Sequence, residues 1–179
     1  MLVSIVISMT TMSQDSHAQV KSGTLNFSEL EKIIISINDS SELNSFLTKK
    51  GFRFDSTLKE KGEKFYIFLS EQFSNKCSPD EEISIKNKAC SFLLEGFKYV
   101  SFQTPCNHLY QEMIVELKLK KFKPVSVENR PDTESNSEGK IVSYRSVLYP
   151  GYIFDVHTET IKKEDFAWTS YFFSFRQFN

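Results

Sequence analysis

Between residues 28 and 37, Leu30, Ile33, Ile34 and Ile37 recur at helical spacing and predict an amphipathic helix. Asn26 or Ser28 is placed to cap it. Asn38-Asp39-Ser40 breaks the pattern, and Ser40 or Ser41 caps a second, shorter helix with Leu43, Phe46 and Leu47 as its stripe. Gly51 stands where a helix C-terminus takes a left-handed residue. The period then drops to two. Phe52-Arg53-Phe54 reads as a short strand. In Lys64 to Leu69, Phe65, Ile67 and Leu69 fall on one face and Tyr66 and Phe68 on the other. Residues 71–87 are polar and charged and read as a loop holding a short strand at Ile83-Ser84-Ile85. Ala89 to Leu94 and Phe97 to Gln103 are further strands, joined by a turn or bulge at Glu95-Gly96.

The pattern then restarts. Thr104 is expected to cap a helix, with Pro105 at its first position. Tyr110, Met113, Ile114 and Leu117 form the stripe. Phe122 to Val127 is a strand that Pro124 confines to an edge. Residues 129–139, rich in Asp, Glu, Ser and Asn, read as a loop. Ile141 to Tyr149, Gly151 to Thr158 and Phe166 to Arg176 complete three long strands, with Pro150-Gly151 turning between the first two.

The predicted order is ααββββ followed by αββββ. Runs of strands after helices argue for an α+β fold with antiparallel sheets. The two halves share a junction in which a helical stretch ends in Lys and a Phe beside a basic residue opens the strands: Lys49-Lys50-Gly51-Phe52-Arg53 and Lys120-Lys121-Phe122-Lys123. The expected organisation is an export signal at 1–18, a first helix-plus-sheet unit at 19–104 and a second at 105–179. In this order the chain resembles the β-lactamase inhibitor protein, whose two helix-plus-four-stranded-sheet units lie in tandem. The resemblance covers most of residues 26–179. It implies a scaffold able to present a broad sheet face to a protein partner, and it carries no binding residue with it.

Composition sharpens the reading. The chain holds 17 Phe and 7 Tyr against one Trp, with only 6 Gly and 5 Pro, which favours pleated, half-buried surfaces. Residues 1–18 have the form of an export signal: an apolar run from Leu2 to Met9, then Ser16-His17-Ala18 as a small-x-small cleavage site before Gln19. No Lys or Arg precedes the run, as expected if the natural start lies further upstream. The run is too short to span a bilayer, no other segment approaches that length, and no Cys follows it to carry a lipid. The expected location is secreted or periplasmic. Removing 1–18 takes away one acid, Asp15, and leaves the bases and acids balanced. That balance argues against a nucleic-acid partner, which needs a basic footprint. The first two helices are a helix-turn-helix in shape alone, without a basic recognition face. The strongest basic run, Lys118, Lys120, Lys121 and Lys123, is read as complementing a helix C-terminus. Of three cysteines, Cys77 and Cys90 flank a polar loop and could close a bridge; buried thiols are the alternative.

Chemistry is sparse. After signal removal only His108 and His157 remain, and no nucleophile elbow or glycine-rich phosphate loop occurs. Cys106 and His108 sit two apart at a helix start, where their side chains diverge. The best ligand-like row is Asp155, His157 and Glu159 on one strand face. The competing reading is a solvated face, with Tyr152, Phe154 and Val156 towards the core. No catalytic residue, metal or cofactor is assigned. The last strand carries aromatics on both faces: Phe166, Trp168 and Phe172 on one, Tyr171, Phe173 and Phe175 on the other. Burial of the Trp168 face is preferred, with an exposed partner patch as the alternative. The candidate binding residues are therefore Trp168, Tyr171, Phe173, Asp155 and His157. The leading expectation is an exported, non-enzymatic binding protein for an unknown protein or envelope ligand, using a sheet face or the 129–139 loop. The alternatives are a small periplasmic hydrolase with a dispersed site near Asp155, His157 or His108, and a structural module of an envelope assembly.

Overall fold

The computed structural model describes residues 23–60, 63–73, 84–94, 97–132, 137–163 and 166–178; for 71–73, 84–94 and 97, among others, it describes the backbone alone. The expected export signal at 1–18 lies outside these residues. So do Cys77 and the side chains of Cys90 and Phe166.

The described chain is α+β. Its order is α1 (Phe27–Ser36), α2 (Ser40–Lys49), β1 (Arg53–Glu60), β2 (Glu63–Phe73), β3 (Ser84–Leu94), β4 (Phe97–Thr104), α3 (Asn107–Leu119), β5 (Lys123–Asp132), β6 (Ser137–Arg145), β7 (Tyr152–Lys163) and β8 (Phe166–Gln177). All pairings are antiparallel. The β1-β2 ladder and the five-strand run β4-β8-β7-β6-β5 are linked through β3, giving the order β1-β2-β3-β4-β8-β7-β6-β5. The pairing of β4 with β8 joins the early and late strands, with Phe102 opposite Phe173 and Val100 opposite Phe175.

Helix ends are set locally. Asn26 and Glu29 form a capping box at α1, each side chain accepting the other's backbone N–H, at 3.0 and 2.9 Å. Glu116 of α3 adds an acceptor for the N–H of Phe27 at 2.7 Å. At the other end of α1, Lys98 donates to the Ile37 carbonyl and to Asn38. The cap of α2 is Asp39, not Ser40 or Ser41. Its carboxylate accepts the N–H of Glu42 and the hydroxyl of Ser41, bonds that hold its pKa below the usual carboxylate range. Thr104 does not cap α3. It finishes β4 opposite Tyr171, and its hydroxyl accepts the N–H of Cys106, so the helix starts at Asn107. The N-cap position falls to Cys106, which makes no side-chain cap hydrogen bond.

The repeated Lys–Phe junction has one physical meaning in both places. At α2, the N–H of Gly51 bonds to Thr48 and that of Phe52 to Leu47; at α3, Lys121 bonds to Lys118 and Phe122 to Leu117. Both are Schellman closures, each bringing a buried Leu towards a buried Phe. The left-handed residue is Gly51 (φ 91°) in the first and Lys121 (φ 58°) in the second. Each following strand is irregular at the same step, between Phe54 and Ser56 and between Pro124 and Ser126.

The three helices lie over one sheet face, with α1 on β4 and β8, α2 against β1 and α3 against α1. Phe27 is the hub. Its ring lies 5.5 Å from Phe122, 5.6 Å from Phe154 and Phe175, and 5.7 Å from Tyr149. Leu30, Ile33, Ile34, Leu43, Leu47, Met113 and Leu117 close the layer against Phe68, Val100, Phe102, Val156 and Phe173. β5 lies at one end of the sheet, as Pro124 requires. The loop expected at 129–139 is largely strand, since β5 runs to Asp132 and β6 resumes at Ser137. Its polarity reflects a hairpin whose described residues are mostly exposed, where water, not a core, faces the side chains. The strand expected through Tyr149 ends instead at Arg145, where Ser146 opens a turn.

Candidate binding face

Alternation along β7 and β8 separates two surfaces. Phe154 and Val156, with Phe173 and Phe175 opposite them, face the helices and are buried. The other face carries Ile153, Asp155, His157, Glu159 and Ile161 from β7. These stand opposite Arg176, Ser174, Phe172, Ser170 and Trp168 of β8 respectively. β6 extends the face with Ser143, Ile141, Gly139 and Ser137, and β4 adds Tyr99, Ser101 and Gln103. Among the described residues no helix covers it.

Two side-chain pairs organise its centre. Arg176 donates through Nε to Asp155 Oδ2 at 3.0 Å. Asp155 is 16% exposed and Arg176 37%, so water screens the pair incompletely. Asp155 Oδ1 is buried without a hydrogen-bond partner, which places a desolvation cost at this point. Beside it the His157 ring stacks on Phe172, centroids 5.0 Å apart and planes 22° from parallel. Burial lowers the His157 pKa, and Arg130 lowers it further, against an opposing pull from Glu159. The imidazole is therefore neutral at pH 7 and packs as a flat, polar-edged ring. Gly139 makes room for it: a Cβ there would lie 3.3 Å from His157 Nε2 and 3.0 Å from the Arg130 carbonyl oxygen. Ser137 donates to Glu159 at 3.5 Å.

Of the residues singled out from the sequence, Asp155, His157 and Trp168 share this face. Tyr171 and Phe173 do not. Tyr171 stacks on Tyr110 at 4.5 Å and donates to Asn107, so it belongs to the contact with α3. Phe173 is fully buried among Phe102, Tyr110 and Phe154, and is core. The preference for burial of Trp168 is reversed: it is 42% exposed, because no described helix covers its side of the sheet. Phe172 and Arg176 complete the centre. Phe172 was signalled by its place on the Trp168 face, whereas Arg176 has no local signal, since its partner lies on a neighbouring strand.

The other sequence candidates are placed elsewhere. His108 is exposed and pairs with Glu112 at 3.0 Å, one turn along α3. Cys106 is buried and disulfide-bonded, which removes it as a nucleophile. Among the described residues, no three His, Cys, Asp or Glu side chains gather to hold a metal ion, and no helix is long and apolar enough to cross a membrane. A 420 Å³ pocket lies on the helix side, lined by Asn26, Glu29, Lys50, Glu112 and Glu116 among others. Several of its polar groups are engaged: Glu29 pairs with Lys50 and the Asn26 N–H, and Glu116 takes the N–H of Phe27.

No family model, curated protein or solved structure matches the chain.

Proposed function

We propose that this chain is an exported, non-enzymatic binding protein that engages a protein partner through the helix-free face of β7 and β8. The observation that carries the reading is the mixture on that one face, which no described helix covers: exposed Trp168, the Phe172–His157 stack and the Asp155–Arg176 pair. Trp and Arg are enriched in interface cores, and here an exposed Trp and a partly exposed Arg stand on one sheet face. The disulfide at Cys106 supports an oxidising compartment and hence export. The chain is further read as two tandem helix-plus-four-strand units. The matched Schellman closures and strand irregularities support this, as does the consecutive pairing of β1 to β4 and of β5 to β8.

The test is site-specific photo-crosslinking in the native envelope fraction, with a benzophenone side chain at position 168 and, as control, at Ile35 on the outside of α1. A discrete adduct is expected from position 168 alone, and Phe172→Ala in the same chain should abolish it. Equal labelling from both positions, or none from 168, would remove the basis for the reading.

A further inference from the structure

The end of the molecule where α3 passes into β5 lies beyond the paired centre of the binding face, at the end of the β6 row that Arg145 closes. Three segments meet there: the last turn of α3, residues 120–125, and the turn at 146–150. Ser146 holds them together. Its hydroxyl donates to the Lys120 carbonyl at 2.8 Å and accepts the N–H of Leu148 at 3.2 Å, while Lys123 stands opposite Arg145 across the β5-β6 ladder.

Two kinds of side chain dominate this surface. Large aliphatics face water: Val147 is 87% exposed, Leu119 74%, Val125 56% and Leu148 52%. Val115 on α3 and Val127 on β5 are exposed as well. Around them Lys118, Lys121, Lys123 and Arg145 are exposed. Residues 117–127 and 139–154 include no acid. The acid that reaches in, Glu31, is engaged by Lys120 and the Tyr149 hydroxyl. The Arg145 guanidinium lies 4.4 Å from the centre of the Phe178 ring, a contact that holds it at this end.

Aliphatics ringed by lysines select among partners. Protein interfaces are depleted in Lys and enriched in aromatic residues, and this patch has the opposite balance. A nucleic acid would use the cations and gain nothing from Val147, Leu148 and Leu119. An anionic bilayer surface uses both: aliphatic groups enter the boundary between headgroups and acyl chains, and lysine stems lie along it with their ammonium groups on phosphates. We infer that this end of the molecule docks peripherally on an anionic phospholipid bilayer, with Val147, Leu148 and Leu119 entering the interface and Lys118, Lys121, Lys123 and Arg145 on the headgroups.

Co-sedimentation of the whole chain with vesicles tests this. Pelleting is expected with phosphatidylcholine vesicles containing phosphatidylglycerol and not with phosphatidylcholine alone, and added salt should weaken it. Neutralising Lys121 and Lys123 together (Lys121→Gln, Lys123→Gln) should lower partitioning about 25-fold, at roughly fivefold per cation. Val147→Ser with Leu148→Ser should lower it about tenfold or more. Lys59→Gln, on exposed β1, should change nothing, and circular dichroism confirms that each variant is folded. The wild-type comparison stands without the variants: no pelleting with either vesicle, or equal pelleting with both, overturns the inference. So does binding that the serine variants leave intact. A dimer seen by light scattering and dispersed by those variants would likewise overturn it, by assigning the patch to a second copy of this chain.

Discussion

β7 and β8 present two faces made by the same residues in alternation, and the faces behave as different materials. On the helix side, the Phe175 ring lies within 6.2 Å of five others: Phe27, Phe122, Tyr149, Tyr152 and Phe154. Each ring removes its area from water by touching several more, which is how a close-packed core gains its stability. On the opposite side, rings and charges come in pairs: His157 with Phe172, Asp155 with Arg176. Among the described residues no second layer multiplies those contacts, so the same strands supply far less stability per side chain. Aromatic content therefore marks a core only where another element lies on top of it. Where no described element does, as at Trp168, the side chain stays partly in water.

The largest effect that would sharpen this contrast is in the core. Phe154→Ala should cost roughly 3–5 kcal/mol of stability, because its site is closed by Phe27, Phe122, Phe173 and Phe175 and cannot collapse. Chemical denaturation measures it. A loss below about 1 kcal/mol would mean that the two faces are energetically alike.

Trp168→Ala on the other face should cost less, roughly 1–2 kcal/mol, since the side chain is 42% exposed and its loss leaves no closed cavity. As Trp168 is the only tryptophan, wild-type fluorescence reports its surroundings directly. The expected emission is red-shifted and readily quenched by iodide. A blue-shifted, protected emission would mean that the face is covered after all and would break the comparison.

The smallest effect is the pH response of His157. Burial depresses its folded pKa below the ordinary 6.5, so the unfolded chain binds the proton more readily. Stability contributed by the neutral ring is complete above 6.5 and falls as pH drops from there towards the folded pKa. His157→Gln should flatten that part of the stability–pH curve. If the variant and the wild type keep the same slope through the window, the His157–Phe172 stack is not held in its neutral form.

A second comparison, between the two helix-to-strand junctions, shows what a sequence repeat encodes. Lys49 to Phe52 and Leu119 to Phe122 share a spacing more than an identity. In both, the backbone must pass through a left-handed residue so that a Phe can return under its own helix. Gly51 does this without steric cost, and Lys121 does it against a penalty of about 1–2 kcal/mol, which burial of Phe122 offsets. That similarity was legible because it is local.

The sequence alone determined whatever depends on neighbours in the chain. The stripe of Leu30, Ile33 and Ile34, the edge position of β5 and the alternation that puts Asp155 and His157 on one face all follow from periods of 3.6 and 2 or from a missing N–H. Caps with several candidates within reach, such as Asp39 beside Ser40 and Ser41, were legible only to within a residue or two. What the tertiary structure alone decided is which side of each strand is covered. Phe173 and Trp168 are equally apolar in the sequence, and odd and even positions of β8 are equally aromatic. The docking of α1 across β4 and β8 buries Phe173, while Trp168 stays in water. The Asp155–Arg176 pair has the same origin, because its two residues meet only once β7 and β8 take their register. Periodicity fixes a side chain's direction relative to its own strand; whether that direction leads into a core or into solvent depends on segments far away in the chain, and only their packing settles it.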